Sequence, residues 1–175
     1  MRPVSLRSLR RDEGMSKFNI QYGLEEGKFL RYPTSNPTSA LLEIFPGHLS
    51  PIKVCGTNKE LVMSGAFFEL IRPQFINLCL KIVLPHEFQA FVNRPDIAAA
   101  LKTCRPPMSI ADVRRELGIT TAEYHRGIYN AGLIDRNGNL TDQGHSIALI
   151  IQNNIYWAGE AFINYKPYWE GMCRT

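Results

Sequence analysis

The chain has 175 residues, with 20 Lys and Arg against 16 Asp and Glu, for a formal net charge of +4. Hydrophobic content of 45% and charged content of 21% sit near globular averages and exclude a fibrous or wholly disordered protein. A chain of this length buries roughly 70% of its unfolded surface, enough for a core without metal or disulfide, and its charge is far below that of a polybasic protein.

Taken from the start, Arg2, Arg7, Arg10 and Arg11 outnumber Asp12 and Glu13 ahead of Met15. Three readings are open for residues 1–14: a flexible basic arm for phosphate or a membrane surface, a short organellar presequence, or a leader that is not native. The third is the expectation, with Met15 as the native start and codons for Arg-Asp-Glu-Gly resembling a bacterial ribosome-binding site. The segment is then a disordered or absent basic leader, and a chain starting at Met15 carries +2, half the apparent charge.

Residues 15–93 form an N-terminal region of irregular texture and unknown fold. Pro33, Pro37, Pro46, Pro51, Pro73 and Pro85 interrupt long helices. Short strands are expected at Lys28–Tyr32 and Ile52–Cys55, on either side of the turn-rich YPTSNPTS. Leu61, Met63, Phe67, Leu70 and Ile71 predict a helix over 59–71, while Phe75–Leu84 is an apolar run of ambiguous period. There is no glycine-rich phosphate loop, G-x-S-x-G or paired carboxylate frame. His86-Glu87 starts like a zincin motif, but Ala90 stands where its second His belongs. No catalytic residue, metal ligand or cofactor is assigned, and the expectation is a protein that is not an enzyme; a small-molecule sensor pocket in this region would be unmarked.

Cys55, Cys79, Cys104 and Cys173 are far apart, with no C-x-x-C or His/Cys pair at metal spacing. The polar start has no signal-peptide h-region, so reduced thiols in a cytoplasmic protein are expected. Cys79 reads as a core residue, and the Asn139-Leu140-Thr141 sequon as incidental. No apolar stretch approaches ~20 residues, so no membrane span is expected.

Residues 94–145 are more legible. Pro95 opens a short helix with Ile97, Ala98 and Leu101 on one face, ending near Cys104. Ser109 caps a second helix, Ile110–Leu117, whose Ile110, Val113 and Leu117 keep helical spacing. Gly118 stops it, Ile119 plugs inward, and Thr120 or Thr121 caps a third helix to about Ala131, with Tyr124 and Ile128 facing in. Gly132 ends that helix. Leu133-Ile134 and Leu140-Thr141 then flank Asp135-Arg136-Asn137-Gly138-Asn139, and Asn-Gly between apolar pairs signals a hairpin.

The run SIADVRRELGITTAEYHRGIYNAGLIDRNGNLTDQG resembles winged helix-turn-helix proteins of bacterial and phage type. In these, a Leu-Gly-Ile-Thr turn leads into the recognition helix, and Ala-Gly-Leu-Ile leads into a wing with Leu-Thr-x-x-Gly on its return. The likeness spans about residues 95–145 and departs at Gly127, which costs ~1 kcal/mol inside a helix and points to a close approach or an imperfect recognition helix. It implies that the third helix enters a major groove of double-stranded DNA, read by Thr121, His125, Arg126, Tyr129 and Asn130. Arg136 and Asn137 on the wing, with Arg114 and Arg115 before the turn, would meet phosphate.

From Arg94 to His145 there are seven basic residues and six acidic ones, with Glu123 on the recognition helix itself, so a single module should bind DNA weakly. Residues 146–175 are expected to form a long C-terminal helix with an aromatic tail. Ile147, Ile151, Ile155, Ala158 and Phe162 recur at helical spacing, widened by Ile150, Trp157 and Tyr165, over about 20 residues and roughly 30 Å. Ile147, Ile151, Ile155 and Phe162 would then serve as a homodimer interface, or the helix would pack on its own subunit.

The expected fold is therefore α+β and mainly helical: a winged helix-turn-helix behind an irregular N-terminal α/β region and ahead of a long C-terminal helix. The expected function is DNA-binding transcription regulation. The alternative is a winged helix that docks on a host protein, as a phage-encoded inhibitor or an assembly subunit would.

Overall fold

Caps and apolar spacing in the sequence translate directly into most of the helices. The computed structural model describes residues 1–29, 49–54, 58–151 and 153–170, is α+β and mainly helical, and divides into two units, Val4–Pro106 and Pro107–Thr175 with Met1–Pro3. Among the described residues no helix is long and apolar enough to cross a membrane.

In the N-terminal unit, β1 (Val4–Ser5) leads into α1 (Leu6–Glu13). The Ser5 hydroxyl accepts the Ser8 amide at 3.2 Å, and Leu9 is buried. The segment expected to be a disordered leader is thus built into the fold, because Val4 and Ser5 pair with Met63 and Val62. Next, α2 (Lys17–Glu26) starts on Ser16 and buries Ile20, Gly23 and Leu24 on one face. Lys28 turns the chain with a φ of +67°, so the strand expected from Lys28 does not begin there. Residues 30–32 and YPTSNPTS lie outside the described residues.

Of the strand expected at Ile52–Cys55, Ile52–Val54 belongs to β2 (Leu49–Val54), while Cys55 lies outside the described residues; β2 pairs with β3 (Asn58–Met63) in an antiparallel sheet of order β1-β3-β2. The helix expected over 59–71 is corrected here. Residues 58–63 are the central strand, with Leu61, Val62 and Met63 all buried, and Ser64 caps α3 (Gly65–Cys79) through the Phe67 amide at 3.2 Å. Pro73 does not break α3. It lies on the exposed face, as does Glu69, whose carbonyl, left without its amide partner, can be hydrated.

The unit is completed by α4 (Pro85–Val92) and α5 (Pro95–Lys102). Its core is aromatic: Phe29 meets Phe67 and Phe75 edge-to-face at 6.0 and 5.6 Å, and Phe75 also meets Phe68 and Phe88. Leu101 and Ile97 of α5 join this core. The helix assigned from sequence to the 94–145 module therefore belongs to the N-terminal unit, and the boundary falls at Pro106–Pro107.

Cys79 is fully buried here, and burial pushes its thiol up to about 12 from the usual 9.0. Between these values the unfolded chain loses this proton while the folded chain keeps it, so the contribution of Cys79 to stability falls as pH rises through that window. Peptide mapping after alkylation of the native protein should find Cys79 unmodified at mildly alkaline pH and modified once urea unfolds the chain. Labelling in the native state at the unfolded rate would contradict its place in the core.

In the C-terminal unit, β4 (Met108–Ser109), α6 (Ile110–Leu117) and α7 (Thr121–Asn130) follow in order, and then α8 (Asp142–His145), β5 (Ala148–Ile151), β6 (Asn154–Trp157) and α9 (Gly159–Glu170). The sheet order is β4-β6-β5, all antiparallel. The long C-terminal helix is thus corrected to a hairpin followed by a 12-residue helix. Asn153 turns the hairpin at a φ of +68°, and the β-branched run Ile150, Ile151, Ile155 suits a half-buried sheet better than a helix.

The proposed dimer seam dissolves with that helix. Ile151 and Phe162 are buried, while Ile147, Ile155 and Tyr165 pack partly buried against the unit's own core. Helical spacing and the observed hairpin both turn Ile147, Ile151 and Ile155 toward the core, so the periodicity alone could not separate them.

Candidate nucleic-acid interface

The helix pair at the centre of the C-terminal unit is set by reciprocal caps. Ser109 accepts the Asp112 amide at 3.2 Å while Asp112 accepts the Ser109 amide at 3.0 Å, and Thr120 and Glu123 repeat the exchange at 3.1 Å each. Such a capping box satisfies two otherwise orphaned amides and fixes where each helix begins. Between the boxes Gly118 adopts a φ of +64°, a left-handed conformation that costs glycine little. Its amide donates to the Arg114 carbonyl at 2.7 Å, and Ile119 drops into the core.

Burial then divides α7 into two faces. Tyr124, Gly127 and Ile128 are buried, while Thr121, Ala122, His125, Arg126, Tyr129 and Asn130 are exposed. The five residues expected to read bases therefore share one solvent face of one helix. The inner face is held by two indoles: Trp157 Nε1 donates to the Tyr124 hydroxyl, and Trp169 Nε1 donates to the Tyr124 carbonyl at 3.0 Å. The Trp169 ring stacks on Tyr124 at 6.0 Å and an interplanar angle of 8°. Burial pushes the Tyr124 phenol far above its ordinary value, so it stays neutral and available to Trp157.

Gly127 is accounted for by the same packing. A Cβ there would overlap the Trp169 indole, so this helical glycine serves the close approach of α9 to α7.

Three of the six acids that make the module nearly neutral are engaged locally. Glu123 turns back onto the Thr120 amide, and hydrogen bonds from Thr120, with the positive charge of Arg126 nearby, hold its carboxyl below the usual range. Asp112 caps Ser109 and pairs with Arg115 at 2.6 Å. Asp135 accepts the amides of Asn137 and Asn139 at 2.9 and 3.0 Å. Among the described residues, neither Arg126 nor Arg136 is held in an ion pair.

The remaining expected contacts are spread more widely. Arg114 is exposed, with Nε donating to the Ile119 carbonyl at 3.3 Å beside the interhelical turn, whereas Arg115 folds toward the first turn of α6. Arg136 and Asn137 are exposed on a tight turn closed by the single bridge Ile134–Leu140. The expected wing is therefore a one-bridge turn. The hairpin that completes the sheet, β5–β6, lies further along and was missed from sequence, although Asn153-Asn154 inside an isoleucine-rich run was its signal.

Comparison with known proteins returns nothing: no family model, no curated protein and no solved structure matches the chain.

Proposed function

We propose that the chain is a DNA-binding regulator of winged helix-turn-helix type, with α7 as the recognition helix in the major groove of double-stranded DNA. The observation that carries this reading is the two-faced α7: five polar or aromatic side chains suited to base edges and phosphates project from a backbone clamped by Tyr124, Trp157 and Trp169. Pre-organised side chains on a rigid helix lose little entropy on binding. The sheet order supports the same reading, since β4, immediately before α6, pairs with the β5–β6 hairpin and joins helix pair and hairpin in one packed body. The wing is accordingly reassigned to β5–β6, with the Arg136 turn as an additional phosphate contact.

Arg126 has the forked donor set for guanine and Asn130 the amide for adenine; Arg114, Arg115 and Arg136 are suited to phosphate. The proposal involves occupancy of a DNA site in the cytoplasm, without catalysis or cofactor. Phosphate contacts by Arg114, Arg115 and Arg136 would contribute about −3 to the log-log salt slope. Arg126→Ala should cost about 1–3 kcal/mol of base discrimination, measured by binding of the wild type and variant to a selected duplex over a range of salt. A wild type that binds no duplex at low salt would favour the protein-docking alternative, for which the exposed Tyr129, Ile150, Ile163 and Tyr168 are the available apolar contacts.

A further inference from the structure

The arginines near the start of the chain form a site of their own in the N-terminal unit. A surface concavity of about 530 Å³ is lined by Arg7, Arg10, Arg11, Gly14, Met15 and Ser16. Its lining residues thus include three arginines and no acidic residue. The two nearby acids are committed elsewhere: Glu13 pairs with Arg72 at 2.8 Å, and Asp12 pairs with Arg11 at 3.0 Å. Among the described residues Arg10 has no ion pair. Arg10 and Arg11 also offset the carbonyl end of α1, the usual reason for basic residues in a last turn.

We propose that this concavity seats a phosphate group of a nucleic-acid backbone. The shape favours a polymer over a small ligand. Arg7, Arg10, Arg11, Gly14 and Ser16 are all exposed, so the hollow cannot enclose a free molecule, whereas a phosphodiester passing over it needs only one open side. Guanidinium forks match phosphate oxygens in pairs, and the exposed Arg11–Asp12 pair is weak enough to yield to a stronger anion. The order of α1, held by the Ser5 cap and the burial of Leu9, presents these side chains from a fixed helix. The choice of nucleic acid as the polymer rests on the reading of α7; the anion site itself does not.

The test compares full-length wild type, Arg10→Gln/Arg11→Gln and Arg126→Ala by fluorescence anisotropy with labelled duplexes of the preferred sequence and of random sequence, over a series of salt concentrations. The double variant should lose affinity about 3–10-fold for both duplexes alike and flatten the salt slope by about 2, with an unchanged circular dichroism melt. Arg126→Ala should instead weaken the preference for one sequence over the other. A double variant that binds with wild-type affinity and slope overturns this contact while leaving the α7 reading standing. A double variant that loses affinity while Arg126→Ala changes nothing keeps this contact and removes the α7 reading. Saturable binding of inorganic phosphate, lost in the double variant while duplex binding is kept, would assign the hollow to a free anion and overturn the polymer assignment.

Discussion

Trp169→Ala is expected to destabilise the C-terminal unit by about 3–5 kcal/mol, the range for removing a buried large aromatic side chain. Trp169 is 2% exposed, stacks on Tyr124 and on Phe162, and supplies the donor for the Tyr124 carbonyl. Its loss removes packing from both α7 and α9 at once. Urea unfolding followed by the fluorescence of the remaining Trp157 reads the change, since the chain has only two tryptophans and both described positions lie in this unit.

The same contact makes a sign prediction for Gly127. Alanine is favoured over glycine inside a helix by about 1 kcal/mol, yet here its Cβ would overlap the Trp169 ring. Overpacking of this kind costs about 1–3 kcal/mol, so Gly127→Ala should destabilise the wild type. In a Trp169→Ala background the obstruction is gone, and Gly127→Ala should stabilise. A double-mutant cycle measures that reversal as a coupling energy. Equal effects in both backgrounds would remove the packing explanation for the glycine.

Phe75→Ala is the corresponding prediction for the N-terminal unit, again with an expected loss of about 3–5 kcal/mol. Phe75 is completely buried and sits among Phe29, Phe68 and Phe88 with ring centroids 5.6–6.4 Å away. Edge-to-face contacts of this type add about 0.5–1.5 kcal/mol each to simple area burial. Far-UV circular dichroism should register the lowered unfolding midpoint of α3 and its neighbours. A loss below about 1 kcal/mol, the size of a typical surface change, would mean that Phe75 is not the centre of this core.

The helix pair α6 and α7 was legible because each of its boundaries is written locally. Ser109 with Asp112, Gly118, and Thr120 with Glu123 occupy cap positions whose chemistry needs no distant partner. The inward residues Val113, Tyr124 and Ile128 and the outward set Thr121, His125, Arg126, Tyr129 and Asn130 then follow from a period of 3.6 residues. Residues 58–63 and 148–157 were misread for the opposite reason. Leu61, Val62 and Met63 are apolar in succession because β3 is covered by strands on both edges and buried, and that environment lies in other parts of the chain. The isoleucines of 147–155 fit a helical repeat and the observed hairpin equally well; β4, about 50 residues before its partner in the pairing Met108–Trp157, settles the choice.

The candidate site divides along the same line. Residue types and spacing by themselves determined which side chains share the outer face of α7, since a helix fixes its faces once its ends are set. Only the tertiary structure decided what that helix rests on: Trp169 reaches Gly127 and the Tyr124 carbonyl across about 40 residues of chain. The division of the +4 charge was likewise read from sequence, with half of it in residues 1–14 and +1 in residues 94–145. Arg7, Arg10 and Arg11 share one hollow because they lie about one turn apart on a single helix, and Asp112, Glu123 and Asp135 turn onto backbone amides only a few residues away; both arrangements are local. Local hydrogen bonds and helical period are properties of neighbouring residues, and so can be read in order. Burial and sheet partners depend on residues far apart in the chain, and they exist only once it has folded.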